Sequence, residues 1–155
     1  MSYLLVKWVH ILSSTVLFGT GLGSAFYFFL ASRTRDPRVV AVVTGHVVIA
    51  DWLFTAPTVV LQPASGFYML HLAGLDAFTL TWVRWSVALY ALAVLAWLPV
   101  VRIQVVMRDL ARAAAADAQP LPPRYAGLLA AWVTLGVVAF LAFVAVYYLM
   151  IARPV

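Results

Sequence analysis

The sequence predicts an all-α membrane protein, a bundle of four transmembrane helices that run up, down, up and down. Of the 155 residues, 66% are hydrophobic and 10% are charged, whereas soluble domains carry about 25% charged residues. The apolar residues fall into four long runs, and arginines concentrate in the short segments between them. A water-soluble core of this size cannot bury so much apolar surface, so the chain is expected to be a polytopic membrane protein.

Each apolar run is long enough to cross a bilayer, which takes about 20 helical residues. The runs cover approximately residues 4–31, 39–72, 79–101 and 125–152. The third is expected to continue as a cytoplasmic helical extension over residues 102–118, a segment rich in strong helix formers. We expect residues 1–155 to form a single domain. The first run is predicted to be a retained helix rather than a cleaved signal peptide, because it is too long for a signal-peptide core.

The basic residues predict the orientation of the bundle. Seven of them follow the first and third runs: Arg33, Arg35, Arg38, Arg102, Arg108, Arg112 and Arg124. The opposite side holds only Lys7, Arg84 and Arg153. Because cytoplasmic loops are enriched in lysine and arginine, both termini are predicted to lie outside, in a bacterial inner membrane. This pattern reflects topology, so no nucleic-acid partner is expected. The chain has no cysteine, which excludes disulfides, thiolate metal sites and haem attached through cysteine.

The first run carries polar residues that a simple membrane anchor does not need. Lys7, His10 and Ser14 recur on one face at spacings of three and four residues. Polar groups in hydrocarbon are costly, so they usually face inward and often serve a function. Beside this face, Thr15, Gly19 and Gly23 form a track of small residues that is expected to let another helix approach closely. The track predicts either helix packing, including a homo-oligomer, or clearance for a flat ligand.

The second run carries one stripe of polar side chains at helical spacing. Its members are Asp51, Thr55, Thr58, Gln62 and Ser65, and Thr44 precedes them by seven residues. Because lipid satisfies no hydrogen bonds, the stripe is predicted to face the bundle interior, as a functional polar cavity or as buried structural hydrogen bonding. By helix rise, Asp51 lies well inside the hydrocarbon, where an aspartate protonates or finds a partner. Pro57 and Pro63 are expected to kink this helix and free backbone carbonyls.

Three histidines are candidate metal ligands, since neutral imidazole binds many metals, including haem iron. His10 lies in the outer half of the first run, His46 near the cytoplasmic end of the second and His71 near its outer end. His10 and His46 therefore occupy opposite leaflets, whereas a break in the second helix would bring His71 closer to His10. Lys7 and Arg84 are candidates to hold carboxylates of a bound cofactor, although Lys7 also fits a lysine that snorkels to the headgroups.

Three segments of the chain carry a family resemblance: KWVHILSSTVLFGTGLGSAFYF, HVVIADWLFTAPTVVLQPASGFYMLHLAG, and LPVVRIQVVMRDLARAA followed by PLPPRY. They resemble the predicted integral membrane proteins of domain-of-unknown-function family 2269 over nearly the whole chain. The opening KWVHIL also resembles the first helix of HemJ-type protoporphyrinogen oxidases and CopD-type copper proteins. The HemJ resemblance implies haem b binding through His10, with Lys7 important nearby. The Asp51 stripe does not match the HemJ pattern.

Three functional hypotheses follow. The first is a b-type haem protein with a redox or electron-transfer role towards a lipophilic partner such as quinol or a porphyrin, with enzymatic activity left open. Its axial ligand would be His10, with His71 or His46 as a second, and Asp51 and Lys7 are its candidate catalytic residues. The second is a small transporter or channel that uses the polar stripe of the second run. The third is a non-catalytic membrane scaffold, in which the stripe only joins helices.

Overall fold

A computed structural model describes residues 2–153, and over these residues the chain is helical without strands. The helices are α1 (Tyr3–Thr34), α2 (Pro37–Ala50), α3 (Ala56–Leu72), α4 (Thr81–Ala116) and α5 (Arg124–Ala152). A π-helical segment, Asp51–Thr55, joins α2 to α3, so that Pro37–Leu72 forms one continuous span. Within the described residues, four such spans are long and apolar enough to cross a membrane. The predicted all-α, four-helix architecture is confirmed.

The turn between α1 and α2 has clear local causes. Arg35 ends α1 in a left-handed conformation with a φ of 55°, which turns the chain out of the helix. The Arg38 N–H then donates to Asp36 Oδ1 over 2.9 Å, and Pro37 occupies the first helical position, where its missing N–H costs nothing. So short a connection forces α2 to run antiparallel to α1. At the other end of the second span, Gly74 adopts a φ of +66° and closes α3.

Hydrogen bonds between spans fix the alternating directions. His10 bonds to Ser65 while Asp51 bonds to Gln104, so low-numbered residues of one span meet high-numbered residues of the next. The same order relates α1 and α5: Ser14 near the start of α1 meets Tyr147 near the end of α5. Both termini of the described chain therefore lie at one end of the bundle.

The π segment has its cause in Pro57. In a regular α-helix the ring of Pro57 would clash with the carbonyl group of Leu53, and its nitrogen would leave that carbonyl unpaired. The chain instead widens by one residue, and the Ala56 N–H bonds to the Asp51 carbonyl oxygen five residues back. The Thr58 hydroxyl donates a hydrogen bond within the same turn and lies 2.7 Å from the Phe54 carbonyl oxygen and 2.9 Å from that of Thr55.

The end of the bundle that carries the short α1–α2 turn is densely packed. Phe28 is fully buried and meets the Trp132 ring edge-to-face, with ring centroids 4.7 Å apart. The hydroxyls of Ser32 and Tyr125 share a buried hydrogen bond of 2.8 Å between α1 and α5. From α4, Met107 is fully buried in the same cluster. We refer to this region as the packed end. Helix α4 continues past it without a break to Ala116.

The opposite end, which carries both termini, is open. Here α1 packs against α3 and α4 packs against α5, and the two pairs diverge. The small-residue track of α1 is predicted to serve either helix packing or clearance for a flat ligand. A Cβ atom added at Gly19 or Gly23 would meet no heavy atom within 4 Å, so neither glycine is needed for a close helix contact within the described chain. Homo-oligomer formation through this track stays a prediction.

Candidate functional site

The diverging helices enclose a cavity of about 440 Å³ at the open end. Its walls come from α1, α3, α4 and α5 and are mostly apolar. This volume lies within the range of about 300–1,000 Å³ that is typical of small-molecule sites. A cavity between helices of a bundle, with few polar groups on apolar walls, is a common form of ligand site.

His10 is the histidine that lines this cavity. Its Nδ1 atom lies 2.8 Å from Ser65 Oγ on α3, and its backbone carbonyl accepts a 2.8 Å hydrogen bond from Gln62 Nε2. Gln62 Nε2 also donates to the Ser13 hydroxyl over 2.5 Å. Gly66 makes room for the ring, since a Cβ atom there would lie 3.4 Å from His10 Cε1. Ser65 thus holds the imidazole ring itself, whereas Gln62 and Ser13 hold the backbone of His10.

These bonds assign the tautomer of His10. The single hydroxyl hydrogen of Ser65 has its shortest contact, 2.6 Å, with the Leu61 carbonyl oxygen. With that hydrogen engaged, Ser65 Oγ accepts from the ring, so the proton of neutral His10 lies on Nδ1. None of the hydrogen bonds found within residues 2–153 uses His10 Nε2, which keeps its lone pair. Metal-binding histidines are commonly oriented in this way, by a hydrogen bond through the other nitrogen.

The mouth of the cavity is cationic. Lys7 lines it one helical turn from His10, and Arg153, just after α5, lines it from the opposite wall. The Arg153 guanidinium lies over the Trp82 ring, 5.7 Å from its centroid. Arg84, the cation predicted for this role on α4, is exposed and is not among the lining residues. Arg84 lies on a different face of α4 from Trp82, Val83 and Ser86, which line the cavity.

Two tyrosines tie the cavity walls to the backbone of neighbouring helices. Tyr90 on α4 donates to the Val59 carbonyl oxygen over 2.6 Å. That carbonyl is the one that Pro63 cannot pair, since Pro63 has no N–H to donate four residues later. Tyr147 on α5 donates to the Ser14 carbonyl oxygen over 3.0 Å. Pro63 thus does free a carbonyl, as predicted, and the Tyr90 side chain from α4 satisfies it.

The other two histidines lie elsewhere. His46 and His71 are exposed, and neither lines the cavity. His71 stacks on Tyr68 of its own helix, with ring centroids 6.4 Å apart. Within the described residues, no group of three or more His, Cys, Asp or Glu side chains is placed to hold a metal ion. The structure therefore brings together Lys7 and His10 but not the three histidines, whose roles as ligands stay predictions.

The polar stripe of the second span is buried over its whole length, as its spacing predicted: Thr44, Asp51, Thr55, Thr58, Gln62 and Ser65. Its outer part, Gln62 and Ser65, supports His10 at the cavity. Its inner part does not reach the cavity. There, Asp51 Oδ1 accepts from Thr55 Oγ1 over 3.0 Å, and Oδ2 accepts from Gln104 Nε2 of α4 over 2.8 Å. The stripe thus serves two separate polar clusters.

Several residues of these clusters were not predicted from the sequence. Gln104 lies between Val100 and Met107 at spacings of four and three, on the buried face of α4, so its position carried a detectable signal. Met69 and Met150 also line the cavity. The sequence placed Arg153 on the same side of the membrane as Lys7, but its place at the cavity follows only from the folded bundle.

Fold and site together define a multi-pass integral membrane protein of four spans, with an intramembrane cavity that opens at the end of both termini. The comparisons agree with this class. Residues 4–154 match the model of a family described as predicted integral membrane protein (DUF2269), so the chain belongs to that family. No curated protein and no solved structure matches the chain.

Proposed function

We propose that the protein is a b-type haem-binding protein of the bacterial inner membrane, with a redox or electron-transfer role towards a lipophilic partner such as a quinol or a porphyrin. The observation that carries this proposal is His10 in the cavity, with Nδ1 engaged by Ser65 and Nε2 available as a ligand atom. A bound b-type haem would supply one-electron chemistry.

The donor set and the walls of the cavity fit such a cofactor. A haem has an apolar face and two carboxylates, and the cavity combines apolar walls with a cationic mouth at Lys7 and Arg153. Met69 and Met150 add thioether sulfurs to the lining, and a thioether is a known second haem ligand beside histidine. The apolar walls of the cavity suit a lipophilic electron donor or acceptor.

The test is the absorption spectrum of the protein purified in detergent. We expect a Soret band in the oxidised protein and a sharp α band on reduction, either as isolated or after addition of hemin. A colourless protein that binds no hemin would reject haem and leave the cavity to another amphipathic ligand. If the His10→Ala protein binds hemin as tightly as the wild-type protein, His10 is not the axial ligand.

Lys7 is expected to contribute to the affinity for hemin rather than to the absorption spectrum of the bound haem. Replacing it with glutamine removes the charge at the cavity mouth and leaves His10 intact, so hemin should still bind with the same spectrum. Because Lys7 is exposed, the loss is small, about two- to fivefold in Kd, and should shrink at high salt. Titration of hemin at two salt concentrations measures it. Arg84→Gln is the matched control on the exposed side of α4 and should change neither Kd nor its salt dependence.

Gly66 is expected to control the space beside the imidazole. A valine at this position would push against His10 Cε1, which lies only 3.4 Å from the first added atom. Overpacking of this kind costs about 1–3 kcal/mol, which corresponds to a loss of about five- to 150-fold in hemin affinity. Gly136→Val is the control, since a Cβ atom there meets nothing within 4 Å. Equal effects of the two substitutions would show that Gly66 has no special relation to the ligand.

The second candidate function is a small transporter, and the buried inner cluster at Asp51 is the observation that favours it. A carboxyl group at mid-membrane is typical of proton and cation pathways. Reconstitution in liposomes tests this candidate. Ion or proton flux that Asp51→Asn abolishes would support transport, whereas flux at the level of empty liposomes would leave only the binding function.

A further inference from the structure

The inner cluster, formed by Asp51, Thr55 and Gln104, contains more acceptors than donors. Both Asp51 oxygens accept hydrogen bonds, one from Thr55 and one from Gln104. Gln104 Oε1 is buried, and no described residue donates to it. Gln104 is only 2% exposed and Asp51 only 6%, so bulk water does not supply the missing donor. A buried amide oxygen without a partner requires an explanation.

The cluster also lacks a compensating positive charge. Within residues 2–153 the ion pair that forms is Arg108 with Asp109, and no salt bridge includes Asp51. Arg102 and Arg108 are the nearest basic residues in sequence to Gln104 on α4, and His46 precedes Asp51 on its own span but is exposed. The Arg112 guanidinium of α4 reaches the second span at Gly45, six residues before Asp51, and forms no salt bridge with the carboxyl group. Helix α1 has no titratable side chain between His10 and Tyr27. An ionised carboxylate here would be an uncompensated charge inside the hydrocarbon.

We propose that Asp51 and Gln104 form a proton-binding site in the middle of the membrane, in which Asp51 is a neutral carboxylic acid at neutral pH. One proton supplies both missing elements. It removes the negative charge, and it converts one Asp51 oxygen from an acceptor into a donor. The Gln104 amide already lies 2.8 Å from the carboxyl group, so a rotation that sets acid and amide side by side lets the acid O–H donate to Gln104 Oε1 while Gln104 Nε2 donates to the other carboxyl oxygen. The other carboxyl oxygen still accepts from Thr55.

This site is separate from the haem proposal. Asp51 and Gln104 do not line the cavity, and neither takes part in the hydrogen bonds that hold His10. The ligand of the inner cluster is therefore a proton, whatever occupies the cavity. The composition of the chain makes the site measurable: all five acidic side chains are aspartates, and the other four are exposed: Asp36, Asp76, Asp109 and Asp117.

The experiment is infrared spectroscopy of the full-length protein in lipid vesicles at neutral pH, in H₂O and in D₂O. We expect one C=O stretching band of a protonated carboxylic acid, shifted by deuteration. Asp51→Asn should remove the band, and Asp76→Asn, at an exposed aspartate, should leave it unchanged. Gln104→Leu should keep the band but move it to higher frequency, because the acid loses its amide acceptor.

Three outcomes would overturn the proposal. The first is a folded wild-type protein without a carboxylic-acid band at neutral pH. The second is a band that persists in Asp51→Asn, which would assign the proton to another group. The third is a band that disappears when sodium ions are added, which would make a metal cation the occupant. Thermal unfolding of each variant separates these results from loss of the fold.

Discussion

Replacing His10 with alanine is expected to abolish the haem spectrum of the protein. The substitution removes the only imidazole that lines the cavity in the described chain, and with it the nitrogen that would bind iron. Loss of a residue that merely orients a ligand typically costs 10–100-fold in metal affinity, so loss of the ligand itself should exceed about a hundredfold. The measurement is a hemin titration of the purified variant, followed by its reduced-minus-oxidised spectrum.

The controls for His10 come from the same residue type and the same network. His71→Ala and His46→Ala remove exposed histidines and should leave the Soret and α bands unchanged. Ser65→Ala removes the group that fixes the His10 ring and should give an intermediate loss of about 10–100-fold. If His71→Ala bleaches the spectrum and His10→Ala does not, the iron lies outside the cavity and the proposed site is wrong.

Replacing Phe28 with alanine is expected to destabilise the bundle more than any substitution in the cavity. Phe28 is fully buried and packs edge-to-face on Trp132 at the packed end. Emptying a site of this size costs about 3–5 kcal/mol, since neighbouring side chains relax only partly into the void. The free energy of unfolding in detergent, from a denaturant titration, measures this loss.

Phe26→Ala is the matched control for Phe28. Phe26 lies two residues earlier on α1 and is 57% exposed, so its removal should change the free energy of unfolding by no more than about 0.5 kcal/mol. The Phe28→Ala protein that remains folded should bind hemin normally, because the cavity lies at the opposite end. Equal destabilisation by both substitutions would contradict the packing described for the packed end.

The sequence predicted the helices and the buried stripe because both follow from periodicity. Four long apolar runs have few alternatives to transmembrane helices, and polar residues at spacings of three and four must share a face. The stripe of the second span kept this order even through its π segment, since every member from Asp51 to Ser65 is buried. The effects of Pro57 and Pro63 were also predictable from the sequence, because a proline disturbs only the helical turn that precedes it.

The cavity itself was not predictable, because it depends on how helices diverge. Depth along a helix indicated that Lys7, His10, Arg84 and His71 share one end of the bundle, but depth does not give azimuth. Arg84 and His71 face outward, whereas Arg153 enters from the far end of the chain. The partnership of Asp51 with Gln104 joins residues 53 positions apart, and one sequence carries no record of such a contact.

The extra residue in Asp51–Thr55 makes the second span intolerant of changes in length. Deleting one residue there would restore a regular α-helix and rotate the outer half of the span by about 100° against the inner half. Either the Asp51 carboxyl group, or Gln62 and Ser65, which hold His10, would then turn towards the acyl chains of the lipid. Members of the family that share both clusters should therefore show no insertion or deletion between the two, even where loop lengths vary.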